Sequence, residues 1–159
     1  VSKSVMSYES HGVLISDPRI LNAAGKQVNC LKRGDSYRYT YRVSFSTGAV
    51  AVRFGMMIKT LAGIEIGGAA SAANAQDSIT YVAADAQMDV EFKFECNLNP
   101  GTYFLNSGVV GVVGEGETYL HRLIDACLFR VLPETAITAT GTVDFKCIAA
   151  FTTSSVEHN

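Results

Sequence analysis

Residues 37–45 read YRYTYRVSF, and this stretch decides the fold. Its odd positions are Tyr37, Tyr39, Tyr41, Val43 and Phe45, while Arg38, Thr40, Arg42 and Ser44 alternate between them. A period of two puts successive side chains on opposite faces of an extended chain, so the stretch predicts a strand with one face buried and the other in water. Aromatic and β-branched side chains suit such a pleated, half-buried surface.

Outward from there the alternation returns. Val50, Val52, Phe54, Met56 and Ile58 stand against Arg53 and Lys59, and Val90, Phe92 and Phe94 against Asp89, Glu91, Lys93 and Glu95. Further strands are predicted over residues 12–16, 79–82, 102–113, 127–132 and 141–151. Turn chemistry separates them at Asp17-Pro18, Gly25, Arg33-Gly34-Asp35, Ser46-Thr47-Gly48, Asn99-Pro100-Gly101, Gly114 with Gly116, and Pro133. Roughly eight or nine short strands without a long helical period predict an all-β antiparallel sandwich. Two stretches depart from the pattern. Residues 67–75, GGAASAANA, read as a surface loop, and residues 119–125, YLHRLID, carry Leu120, Leu123 and Ile124 at the spacing of one short helical turn.

With 159 residues, 48% of them hydrophobic and 18% charged, the chain is long and apolar enough to bury one core, and disorder is excluded for most of it. A single domain over residues 1–159 is expected, with 1–10 and 152–159 as peripheral or exchanged segments and the polar tail fraying. Thirteen Lys and Arg against fifteen Asp and Glu, net charge -2, leave no electrostatic footprint for nucleic acid. No run approaches the roughly 18 apolar residues of a membrane span, and the opening VSKSVMSYES lacks the apolar run of a signal peptide, so a soluble domain is expected. The first residue is Val1 rather than Met, which points to a segment of a longer protein.

Cys30, Cys96, Cys127 and Cys147 form no CxxC pair, so neither a zinc ribbon nor a dithiol redox site is expected. Cys96 and Cys147 continue alternating apolar series and read as small buried hydrophobes with free thiols. No metal and no cofactor is expected.

Signatures of catalysis are missing as well. Only His11, His121 and His158 are available, no GxSxG or HExxH occurs, and there is no glycine-rich phosphate loop, so the chain is not read as an enzyme. Gly108, Gly111, Gly114 and Gly116 read as a glycine-relieved strand, because no βαβ unit surrounds them. Asp89, Glu91 and Glu95 share a strand face with Lys93 between them, the pattern of a solvated surface. More informative are the cations and amides on polar faces: Arg38, Arg42, Arg53, Lys59, Asn106, Arg130 and Lys146. Fixed donors of this kind hold hydroxyls or phosphate, while tyrosine and phenylalanine rings stack on sugar faces.

Three stretches carry a resemblance. RFGMMIKTLAGIEIGG at 53–68, CNLNPGTYFLNSGVVG at 96–111 and YLHRLIDACLFRV at 119–131, followed by TGTVDF at 140–145, together resemble the C-terminal domain of the ATP-binding subunit, Wzt type, of ABC transporters that export O-antigen polysaccharide. The resemblance implies an immunoglobulin-like β-sandwich, a jelly-roll-like variant being the alternative. It implies a carbohydrate-binding module in the cytoplasm, peripheral to the inner membrane, that recognises the finished O-antigen polysaccharide, commonly at a modified non-reducing end. It also implies a homodimer, an upstream nucleotide-binding domain that would hold the ATPase, and a membrane subunit as further partners. Edge strands give a physical reason to pair with a second copy, by edge pairing or by exchanging a terminal strand such as 141–151.

Polar-face reasoning then nominates a site. Arg42, Arg53 and Arg130 are candidates for an anionic or heavily hydroxylated cap, Asn106 for reading hydroxyls, and Phe104 or Tyr119 for a stacking ring. The alternative is that Arg53 and Arg130 pair with acidic neighbours across strands. His121 reads as satisfying local hydrogen bonds and Asp125 as a turn partner. Two other functions compete with sugar binding: a structural dimerisation domain of a larger protein, and a glycan-processing enzyme, which would need two apposed carboxylates in a cleft.

Overall fold

The YRYTYRVSF alternation becomes a central strand whose ring-bearing face closes the core. The computed structural model describes residues 6–7 and 10–155. Its strands are β1 (Met6–Ser7), β2 (Val13–Leu21), β3 (Gln27–Val28), β4 (Cys30–Leu31), β5 (Ser36–Phe45), β6 (Ala49–Thr60), β7 (Glu65–Ala70), β8 (Ile79–Val82), β9 (Gln87–Glu95), β10 (Gly101–Val113) and β11 (Gly116–Val131). One sheet has the order β3-β2-β5-β9; the other runs β1-β11-β10-β6-β7, with β4 beside β11 and β8 beside β6. No helix occurs among the described residues, so none there is long and apolar enough to cross a membrane.

Between the sheets, Tyr37, Tyr39, Tyr41, Val43 and Phe45 of β5 meet Val52, Phe54 and Met56 of β6, Tyr103, Leu105 and Val109 of β10, and Phe129 and Val131 of β11. Burying large apolar side chains is the main favourable term, about 1.5–3 kcal/mol for each relative to exposure. The outer face of the smaller sheet is charged: Arg38 pairs with Glu91 at 3.0 Å and Arg42 with Asp89 at 3.1 Å. The solvated face expected for Asp89, Glu91 and Glu95 is therefore what the fold uses, and Lys146 takes Glu95 at 2.9 Å.

Five expectations are corrected. Residues 119–125 form no helical turn; they lie inside β11, whose register with β10 shifts between Val109 and Val110 and again between Leu105 and Ser107. The first shift adds one residue to β11 and the second adds two, interrupting the alternation, so Leu120, Leu123 and Ile124 are all buried at helix-like spacing in an extended chain. Residues 141–151 form no strand: only an isolated bridge joins Val143 to Leu98. Phe145 and Cys147 are exposed rather than core-facing, because among the described residues no partner strand lies alongside them. Residues 67–70 belong to β7, paired with β6, and only 71–75 of the expected loop lie outside a strand. Asp17-Pro18 is a bulge within β2 rather than a turn, with Asp17 at φ 53 and the register slipping between Ser16 and Arg19; a proline without an N–H is tolerated at such a break in the ladder.

After β11 the chain crosses one end of the sandwich. Arg33 holds it there, bonding Glu134 at 2.8 Å and Asp144 at 3.0 Å, and Asn99 donates to the carbonyls of Thr140 and Gly141. All four cysteines are free, and burial pushes the Cys127 thiol up to about 11. Of the segments expected to be peripheral, Met6–Ser7 pairs with β11, residues 152–155 are exposed, and 1–5, 8–9 and 156–159, with His158, lie outside the described residues.

Candidate functional site

Two glycines face each other on the outer surface of the larger sheet. Gly55 of β6 is the register partner of Gly108 of β10. Outward positions on β6 otherwise carry Arg53, Met57 and Lys59, so the missing side chains leave a strip of bare backbone between taller neighbours. The neighbouring β7 adds Gly68, Ala69 and Ala70. The result is a trough of about 440 Å³, walled by Tyr119 and Arg122 of β11 on one side and by β7 on the other. That volume falls within the roughly 300–1,000 Å³ of small-molecule sites.

Close approach explains two of these glycines. A Cβ on Gly108 would stand 2.9 Å from Cε1 of Tyr119, and one on Gly68 would run into the Met56 carbonyl oxygen. Beneath the floor, the Tyr41 hydroxyl reaches across the core, 2.9 Å from the Gly55 carbonyl oxygen and 3.3 Å from that of Gly108. Burial raises the Tyr41 pKa, so the phenol stays protonated and able to donate.

The walls are held by charge. Arg53 donates through Nε and Nη2 to the two carboxylate oxygens of Glu117, at 3.1 and 2.5 Å, and through Nη1 to the Ala72 carbonyl at 3.1 Å. Arg122 lies over the Tyr119 ring, 4.7 Å from its centroid. Further along the same face, Lys59 Nζ is 2.6 Å from Asp125 Oδ1, both side chains being largely buried. Asp125 itself has φ 57 at the β11 bulge, and its N–H donates to Asn106 Oδ1 at 2.8 Å. That bond commits the Asn106 oxygen and leaves the amide nitrogen as the group Asn106 offers to the trough it lines.

Of the six residues nominated from sequence, Arg53, Asn106 and Tyr119 come together in this trough. Phe104 and Arg130 lie outside its lining: Phe104 packs near Lys59, whose Nζ is 6.0 Å from the ring centroid, and Arg130 is exposed opposite Thr102. Arg42 stands on the other sheet, paired with Asp89. Sequence reasoning missed Arg122, Glu117 and the glycine pair. The outward phase of Gly55, between Arg53 and Met57, was a readable signal; its pairing with Gly108 was not.

His121 is not part of the trough. It is 1% exposed, and its Nδ1 accepts from the Ile15 N–H at 2.8 Å, tying β11 to β2 across the core. Burial lowers its pKa, so the ring is neutral at pH 7 and serves the structural role expected of it. Among the described residues no group of three or more His, Cys, Asp or Glu is placed to hold a metal ion.

Comparison with known proteins follows the same architecture. A family model described as the Wzt C-terminal domain matches residues 4–145. The crystal structure of the C-terminal domain of wzt superposes with a TM-score of 0.79, at 24% identity, over 96% of this chain and 90% of that one. A Niemann-Pick type C2 protein from Japanese carpenter ant reaches 0.50 at 9% identity, over 79% of this chain and 96% of that one. No curated protein matches the sequence. At these identities the structural likeness is one of fold.

Proposed function

The chain belongs to the Wzt C-terminal domain family, and from that premise we propose that it binds O-antigen polysaccharide, with the non-reducing end of the glycan lying in the trough over Gly55 and Gly108. The single observation that carries this reading is the trough itself: a bare backbone floor beside the Tyr119 ring, with the Asn106 amide at hand. A sugar face packs on an aromatic ring and its hydroxyls find fixed donors. Each net hydrogen bond is worth about 0.5–1.5 kcal/mol, so affinity per sugar is modest and a chain end is read by the sum of several contacts. The volume suits one or two sugar residues rather than a long segment, which supports reading of an end. In the cell the domain would sit on the cytoplasmic side of the inner membrane, following a nucleotide-binding domain in the same polypeptide and acting with the membrane subunit of the exporter to couple cargo recognition to transport.

Titration of the chain with the source organism's O-polysaccharide, intact and with its non-reducing end removed, tests this. Saturable binding to the intact glycan is expected, lost on trimming and weakened up to about tenfold by Tyr119→Ala, since a stacked ring contributes about 0.5–1.5 kcal/mol. Equal binding of both glycans overturns end recognition. No binding to either leaves a structural dimerisation domain as the function.

A second copy of the chain is the other partner we propose. Phe145, Ile148 and Phe151 are 80%, 93% and 94% exposed. The outer edge of β9 has no strand beside it among the described residues. Exchange of residues 145–151 between two copies, or pairing along the β9 edge, would cover both. Light scattering should give the mass of a dimer for the full chain and of a monomer after removal of residues 145–159; a monomeric full chain overturns the pairing.

A further inference from the structure

We infer that the trough selects an uncharged sugar end and rejects an anionic one, and that Glu117 sets this choice; the inference rests on the carbohydrate reading above. Arginine on a polar sheet face ordinarily signals a phosphate or carboxylate ligand, because its planar fork of donors matches two oxygens at once. Here that fork is already filled from within the chain. Glu117 takes Nε and Nη2 of Arg53, Ala72 takes Nη1, and the two side chains are 21% and 32% exposed. A ligand anion would have to displace a carboxylate that remains tethered beside it, or lie against a neutral pair.

Of the other charges on this face, one pair is bound, two line opposite walls of the trough, and Arg130 stands exposed outside the lining. Lys59 is bound to Asp125, and Arg122, stacked on Tyr119, shares the lining with Glu65 of β7. The trough and its rim thus hold three cations and three carboxylates. With the Arg53 fork filled and the charges balanced in number, an anion gains little to offset the loss of its hydration. What the trough does offer is apolar and small: the glycine floor, Met57, Ala69 and Val110. Those surfaces suit the methyl group of a 6-deoxy sugar or an O-methyl substituent, each worth about 0.8 kcal/mol per buried carbon. A neutral sugar end with a methyl group is the ligand class this chemistry fits.

Amide NMR titration of the chain, in its native form and as Glu117→Gln, tests the inference with two small probes, methyl α-L-rhamnopyranoside and mannose 6-phosphate. Both are taken to roughly 0.1 M, because few-contact sugar binding is weak. On the native chain the rhamnoside is expected to shift the Gly55 and Gly108 amides and the phosphate to leave them unmoved. In Glu117→Gln the Arg53 guanidinium gains an unopposed charge, and affinity for mannose 6-phosphate relative to that for the rhamnoside should rise at least tenfold. If the phosphate shifts those amides on the native chain as strongly as the rhamnoside, selection against anions is overturned and sugar binding stands. If Glu117→Gln gains nothing for the phosphate, Glu117 is not the determinant. If neither probe moves the trough in either protein, the sugar site itself is overturned. Should Glu117→Gln fail to fold, the two probes on the native chain still decide the selectivity.

Discussion

Gly55→Phe is expected to abolish polysaccharide binding and leave the fold standing. Gly55 faces outward at the centre of the trough floor, and a Cβ there would meet only the Ala69 carbonyl oxygen, at 3.7 Å, an ordinary contact. A benzyl group at this position therefore rises into the trough and occupies the volume a sugar ring would take. Stability should hold, because Gly in a strand interior costs about 0.5–1 kcal/mol and an aromatic residue suits the sheet surface. Binding to the intact O-polysaccharide, followed by calorimetry, should fall by two orders of magnitude or more, about 2.8 kcal/mol, with the melting temperature within a few degrees of the native chain. Undiminished binding would place the glycan elsewhere on the molecule. Gly108 does not serve for this experiment: its Cβ would press on the Tyr119 ring, so a loss of binding there could come from a displaced wall.

Phe129→Ala should cost the domain about 3–5 kcal/mol, while Leu128→Ala, one residue away, should cost about 0.5 kcal/mol or less. Phe129 is 1% exposed and stacks on Tyr103 with ring centroids 5.5 Å apart; Leu128 is 44% exposed on the trough side of the sheet. A loss of that size is a large share of the 5–15 kcal/mol typical of a folded domain. Urea denaturation measures both, the midpoint shifting at nearly constant slope. The comparison also tests the bulges in β11, since a strand that ran through residues 119–131 without a phase change would not combine this exposure at Leu128 with burial at both Leu123 and Ile124. Equal costs at 128 and 129 would contradict the register.

The strands that a sequence reader finds here are those whose packing is regular. Tyr37 to Phe45 and Val90, Phe92, Phe94 each keep one phase from end to end, and the Val50 to Ile58 series does so from Val52 onward, Val50 being exposed beside the register shift at Ala51; each appears as a strand with its apolar face inward. Where phase breaks, reading fails. In YLHRLID the bulges at Leu120 and Asp125 imitate the spacing of a helical turn, and Asp17-Pro18 imitates a turn because a proline and a positive φ occur in both settings. Residues 141–151 fail for the opposite reason: the pattern is present in Val143, Phe145 and Cys147, but among the described residues no strand lies alongside to make use of it.

The candidate site divides in the same way. That Arg42, Arg53 and Asn106 belong to polar faces follows from alternation, which is local and carried by the chain's own geometry. So do the all-β class, the single core and the outward position of Gly55. Which sheet each face belongs to depends on pairing between strands distant in sequence, and pairing sent Arg42 to the sheet opposite Arg53. Pairing also set Gly55 against Gly108 to open the trough and brought Glu117 onto Arg53 to neutralise it. A two-residue period specifies which way a side chain points and nothing about what stands beside it; that second fact comes from register, bulges and the packing of one sheet on the other, and the chemistry of the trough rests on it.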